Sequence, residues 1–128
     1  MGLGFCLSFL SQARAAGSDE FQGAWVVQGM QCSDVFTMRD GKPAFKTGLG
    51  DELPGFILSG GRAVGLAGSC NVSSSKRSGD TLHILMTCAS QIAFTSMKVS
   101  LKLNDPNSIS RIDPDFPEIS TNYSKCPL

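Results

Sequence analysis

Few residues in this 128-residue chain have the types that do chemistry: five cysteines, one histidine and a thin scatter of carboxylates. Cys6 sits in an apolar leader, which leaves Cys32, Cys70, Cys88 and Cys126 in the body of the chain. An even count in a small exported domain reads as two disulfides. A zinc site would want a short C-x-x-C ligand pair, and none occurs. Strand alternation puts His83, the sole histidine, on the face opposite Cys88, so no Cys–His nucleophile pair is expected. No Ser–His–Asp arrangement follows from spacing either. Asp113-Pro-Asp115 with Glu118 lacks the D-x-D-x-D-G spacing of a calcium loop and reads as a solvated turn. Asp34 follows Cys32 among apolar neighbours and would need a hydrogen-bonded partner if buried, a backbone amide being the natural one. The glycine-rich runs 48–55 and 60–68 lack the strand-to-helix setting of a phosphate loop. Asn71-Val-Ser and Asn122-Tyr-Ser are glycosylation sequons that matter only in a eukaryotic secretory route. These residues point to no catalytic constellation, no cofactor and no metal, and the chain is read as a non-enzyme.

The leader bounds the compartment. Met1 to Ala16 is apolar and ends in small residues, and Ala13-Arg14-Ala15 fits an A-x-A cleavage site. Residues 1–15 are therefore read as a signal peptide and 16–128 as a single small domain, although the usual basic opening is missing. The run is too short to span a bilayer. The residues before Cys6, Leu3-Gly4-Phe5, put a bulky Phe where a lipoprotein signal wants a small residue. Loss of Arg14 takes Lys plus Arg from 11 to 10 against 11 Asp plus Glu, a formal charge of −1. Such a balance excludes a polyanion binder and a basic membrane patch, so no nucleic acid is expected as partner. No other segment is apolar enough to cross a membrane, and a monomer is expected.

The elements that must position these residues read as strands. Phe21 to Lys46 holds the single tryptophan and the clearest hairpin. Asp40-Gly41 is a two-residue type I′ turn signal. It sets Arg39 opposite Lys42, Met38 opposite Pro43 and Phe36 opposite Phe45. Pro43 cannot donate to a ladder, so it marks an unpaired edge or a bulge. Trp25 and Val27 alternate on a strand before the hairpin, and Gly23-x-Trp25 matches a short lipocalin-type signature. Trp25 is expected to cap the bottom of a barrel core. Phe56-Ile57-Leu58 turns at Ser59-Gly60-Gly61 into a strand from Arg62 that carries Val64, Leu66, Cys70 and Val72 on one face. Leu82, Ile84, Met86 and Cys88 share one face of the next strand. Joining the two through the polar segment Ser73 to Asp80 puts Cys70 opposite Cys88 and Val72 opposite Met86. The pairing expected is thus Cys70–Cys88, which leaves Cys32–Cys126 to tie the first part of the chain to its tail. Met97, Val99, Leu101 and Leu103 alternate cleanly. Ile92 and Phe94 break that parity, which predicts a bulge near Thr95. Asn104 to Asn107 is a turn and Ile109 to Ile112 a last strand. Asp113 to Leu128 reads as a Pro-rich tail with one helical turn at most. About eight short strands with no convincing helix give an all-β fold: an antiparallel meander closed into a small lipocalin-like barrel with two disulfides.

Trp25, Cys32-Ser33-Asp34-Val35-Phe36, Gly55-Phe56-Ile57, Cys70, Gly79-Asp80-x-Leu82-His83, Cys88, Ile112 and the closing Tyr123-x-x-Cys126-Pro127 together resemble a group of uncharacterised small exported proteins of rhizobium-like alphaproteobacteria. The resemblance covers almost the whole mature chain. It implies a periplasmic or secreted location and carries over no activity and no functional residue. Small lipocalin-like barrels, periplasmic protease inhibitors among them, share the coarse architecture only, by analogy.

The function expected is a non-catalytic binding module for a protein partner or a small apolar ligand, with a periplasmic enzyme inhibitor or a structural envelope protein as alternatives. The loop Thr47 to Phe56 is the longest irregular connection, and it sets Leu49, Leu53 and Phe56 among glycines and carboxylates. It reads either as a binding loop or as a plug folded into the barrel. An internal pocket would favour a ligand; a filled barrel with exposed apolar loops would favour a protein. The leader generates a direct test. Intact-mass measurement of the protein from its native host should give a chain starting near Ala16 or Gly17, and an uncleaved product would contradict the export reading.

Overall fold

A computed structural model describes residues 19–50, 53–89 and 92–127, so the expected signal peptide lies outside the described residues. The elements in chain order are β1 (Gly23–Val27), α1 (Cys32–Val35), β2 (Phe36–Arg39), β3 (Lys42–Phe45), β4 (Gly55–Ser59), β5 (Arg62–Val64), β6 (Ser69–Ser78), β7 (Thr81–Ala89), β8 (Phe94–Asp105), β9 (Ser108–Asp113) and β10 (Phe116–Cys126). Eight strands close into an antiparallel barrel in the order β1-β10-β9-β8-β7-β6-β5-β4, and β2 and β3 form a separate ribbon. The all-β barrel with two disulfides, Cys32–Cys126 and Cys70–Cys88, is as the sequence indicates.

The hairpin register also holds: Phe36 faces Phe45 and Arg39 faces Lys42, with Asp40 and Gly41 both at positive φ. The ribbon does not join the barrel wall. Pro43 has no N–H to give, and β3 pairs with no strand beyond β2. Between β1 and the ribbon the chain makes a single helical turn, Cys32–Val35, where no helix was expected. A four-residue helix is too short to leave a periodic signal in the sequence.

Four further expectations are corrected. The glycine-rich run is two strands: β5 ends at Val64 and the chain turns through Gly65 and Gly68, both at positive φ, with a Gly65 N–H to Gly68 O bond of 2.9 Å. The polar segment Ser73 to Asp80 is mostly strand. β6 runs to Ser78 because β7 supplies a partner along its whole length, and only Gly79-Asp80 turns. A bulge between Val72 and Ser74 keeps Cys70 opposite Cys88 and Val72 opposite Met86 as expected. The β7–β8 ladder is unbroken from Thr81–Lys102 to Ala89–Phe94, so there is no bulge at Thr95; Ile92 and Phe94 break parity because they face solvent. Finally, Ile109 to Ile112 is not the last strand. β10 fills the supposed tail and closes the barrel against β1, with Ala24 opposite Cys126 and Val27 opposite Tyr123.

Two apolar clusters hold the fold together. The first fills the barrel and contains Phe21, Trp25, Phe56, Leu58, Met86, Leu101, Ile109 and Tyr123 together with the Cys70–Cys88 bridge. The second lies outside the wall, where Ala24, Val26 and Ile57 pack against Val35, Phe36 and Cys126. Backbones approach closely at this seam. A Cβ on Gly55 would stand 2.3 Å from the Trp25 carbonyl oxygen and 3.1 Å from the Phe36 ring. Gly55→Ala must therefore push β4 off β1 or expel Phe36. The expected loss is about 3 kcal/mol or more, at the top of the range for overpacked sites, read from the urea midpoint of the oxidised protein. A variant within about 0.5 kcal/mol of wild type, the range of ordinary surface changes, would contradict the close approach.

Candidate functional site

The strand registers define two unlike ends of the barrel. At one end lie the tight turns Gly60-Gly61, Gly79-Asp80 and Asp105 to Ser108, beside the start of β1. This end is closed. Phe21 is fully buried, its carbonyl accepts a 3.0 Å bond from the Trp25 indole N–H, and Arg77 lies 5.4 Å over its ring while pairing with Glu20 at 2.6 Å. Gln22 Oε1 accepts the Gly60 N–H at 2.8 Å, and Lys125 Nζ sits 5.5 Å from the Trp25 ring. Trp25 thus packs just above the cap, and Phe21 is the cap itself.

The interior between the ends is occupied by side chains. Phe56 stacks on Trp25 at 6.4 Å and meets Tyr123 edge-on at 4.8 Å. A space of about 40 Å³ lined by Leu58, Val72, Leu82 and Ile84 has room for one water, whose share of the liquid is about 30 Å³, and for no organic ligand. Near the other end Leu66, in the β5–β6 turn, is buried in the interior cluster, and the Arg111 guanidinium reaches its carbonyl at 3.5 Å.

That other end carries the longer connections, namely the chain after β1, the 46–54 loop and the 90–93 loop, together with the two-residue β9–β10 tip. Its chemistry differs from the closed end. Ile92 is 94% exposed, Phe94 81%, Ile119 61% and Phe116 55%, and Met30, just beyond β1, is also exposed. Asp113, Asp115 and Glu118, at the β9–β10 tip and the start of β10, are exposed as well. Asp113 Oδ1 accepts the Asp115 N–H at 2.9 Å, so the Asp-Pro-Asp stretch is a solvated turn whose acids do not converge on a common point. Among the described residues no cluster of three metal-ligating side chains occurs. Isolated exposed apolar residues are ordinary; several aromatic and aliphatic ones at one end of a small barrel are not.

The sequence candidates fall in different places. Phe56 is in β4 with its ring buried inside the barrel. Leu49 packs, half-buried, on the outer cluster beside Phe45, and Leu53 is half-buried where the chain approaches β4, with Asp51 and Glu52 outside the described residues. Leu49 therefore lies on the wall, neither inside the barrel nor at a free tip. His83 is exposed, as alternation predicts, and its Nδ1 is 2.8 Å from Ser100 Oγ, which is buried. Asp34 is exposed in the helical turn. The rim residues Ile92, Phe94, Phe116 and Ile119 carried no functional signal in the sequence reading. The broken parity at Ile92 and Phe94 is the one visible sign in the sequence, where alternation alone predicts a bulge.

In comparisons with known proteins the chain matches no family model, no curated protein and no solved structure. Among the described residues no helix is long and apolar enough to cross a membrane.

Leu49→Ser tests the position of the loop. Loss of a half-buried leucine from the outer cluster should cost about 1–2 kcal/mol, below the roughly 2–5 of a fully buried one. Thermal melts of the oxidised protein measure it. An unchanged melting temperature would mean that Leu49 does not pack on the wall.

Proposed function

We propose that the protein is exported and acts as a non-catalytic binding module that engages a protein partner through the open rim of its barrel. One observation carries the reading: Ile92, Phe94, Phe116 and Ile119, each more than half exposed, lie at the end away from the short turns. Protein interfaces take aromatic anchors of this kind, set in a polar surround. A filled interior leaves little room for an apolar ligand within the barrel and so favours a protein over a small molecule. Export is supported by two disulfides, which persist in oxidising compartments, by the apolar leader with its A-x-A site, and by the resemblance to small exported proteins. The protein would then reside in the periplasm or be secreted.

A pull-down with the oxidised protein from periplasmic extract, followed by native mass spectrometry of what is retained, tests the proposal. The double variant Phe94→Ser with Phe116→Ser should melt within a few degrees of wild type, because both rings are already in water. It should bind the captured partner at least about thirtyfold more weakly, the equivalent of one 2 kcal/mol hot spot. A partner retained undiminished by that variant would place the binding surface elsewhere, and a large drop in melting temperature would make the rings structural.

A further inference from the structure

A second concave surface lies outside the barrel, independent of the rim. Among the described residues the β2–β3 ribbon pairs with no other strand, and Phe36 and Phe45 at its base pack on the wall. There the Phe36 and Phe45 rings, 5.0 Å apart, pack beside Ile57, and a Cβ on Gly65 would come within 2.8 Å of the Phe45 ring. Its tip, Arg39 to Lys42, is exposed. Between ribbon and wall runs a cleft of about 590 Å³, within the 300–1,000 Å³ typical of small-molecule sites.

Register gives this cleft a polarity. Arg39–Lys42 is the last pair of the ribbon before its turn, and Ser59–Arg62 is the last pair of β4–β5 before theirs. Phe36–Phe45 is the first pair of the ribbon, and Ile57–Val64 lies two residues in from Ser59–Arg62. One end of the cleft is thus lined by Arg39, Lys42 and Arg62, and the other by Phe45, Ile57 and Val64. Among the described residues no carboxylate lines it; Asp40, in the ribbon turn, is the nearest along the sequence. Like charges placed directly opposite across a strand pair, as Arg39 and Lys42 are, cost stability. Arg62 adds a third positive charge to the same end. Its Nη2 donates to Ser69 Oγ, which leaves other guanidinium N–H groups to give. Among the described residues none of the three cations is ion-paired.

We propose that this cleft binds a small amphiphile with an anionic head and an aliphatic tail, the head held by Arg39, Lys42 and Arg62 and the tail lying along Phe45, Ile57 and Val64. Arginine presents a planar fork that matches carboxylate or phosphate oxygens, and two arginines on different elements close around such a head from both sides. The apolar half covers surface that is otherwise partly wet.

Three eight-carbon probes with different heads test this on the oxidised, 15N-labelled protein: sodium octanoate, 1-octanol and octylammonium chloride. Octanoate should shift the backbone amides of residues 39–45 and 57–64, except Pro43. Octanol should bind at least tenfold more weakly, and octylammonium should leave these amides unmoved. The double variant Arg39→Glu with Arg62→Glu changes only exposed side chains; it should keep its fold, lose octanoate binding by at least tenfold and accept octylammonium instead. Lys42→Glu, at the ribbon tip, should weaken octanoate binding in the same direction and gives the answer should the double variant fail to fold. Equal binding of octanol and octanoate, absence of octanoate shifts at millimolar concentration, shifts clustered at the barrel rim, or unchanged octanoate binding by the charge-reversed variants would each overturn the proposal.

Discussion

The first strand is buried on both faces, and the rest of the molecule is arranged to make that so. Ala24, Trp25 and Val26 are consecutive and all essentially inaccessible. Trp25 points into the barrel, while Ala24 and Val26 point out, where a barrel strand ordinarily meets water. Something must cover them, and α1 with the base of the ribbon does so through Val35 and Phe36. The Cys32–Cys126 bridge ties this cover to β10 at the residue opposite Ala24, so the crosslink sits on the seam where the barrel closes. In the chain-entropy description, closing a loop across 94 residues is worth about 4–5 kcal/mol, against about 3 for the 18-residue loop of Cys70–Cys88. The longer bridge acts where the chain most needs help, since its first and last barrel strands must find each other from opposite ends of the sequence.

This double burial governs where binding can occur. Large side chains fill the interior, which leaves little room for a ligand inside the barrel. The ends then divide the work. Tight turns, the buried Phe21 ring and the Arg77–Glu20 pair close one end. The other end carries the longer connections, and connections rather than core positions are where folds place binding residues. On the proposed reading, a partner would meet Phe94 and Phe116 on hydrogen-bonded strands and would not have to order the backbone that presents them, which would lower the entropic cost of association. The ribbon that covers β1 has a second consequence. Its base packs on the wall while its tip is exposed, and between ribbon and wall runs a cleft whose two ends differ in charge.

Local rules and period-two alternation decided a definite part of this protein. Asp40-Gly41 specifies its turn through backbone geometry that few residue pairs tolerate, and the hairpin register follows. Cys70 and Cys88 share a face with Val72 and Met86, and any register that buries one pair brings the other together. An even cysteine count and the density of short strands then give the barrel class. Expected and observed barrels agree on eight strands but not on which eight. The ribbon drops out, the glycine-rich run divides in two, and the tail supplies the last strand.

What only the tertiary structure decided is where a partner strand overrides weak local character. β10 is polar along most of its length, with just Tyr123 and Cys126 buried, and it is a strand because β1 and β9 offer it two ladders. The serine-rich half of β6 is a strand because β7 runs beside it. Ile92 and Phe94 look like core residues out of phase; that they face solvent depends on where β8 emerges from the barrel, which no window of sequence contains. The cations of the cleft lie on two elements, with Arg39 and Lys42 separated in sequence from Arg62, and become neighbours when the ribbon is laid against the wall. Sequence pattern thus determined which residues share a face, because alternation is local; closure and the docking of the ribbon determined which faces meet, because those contacts join residues far apart along the chain.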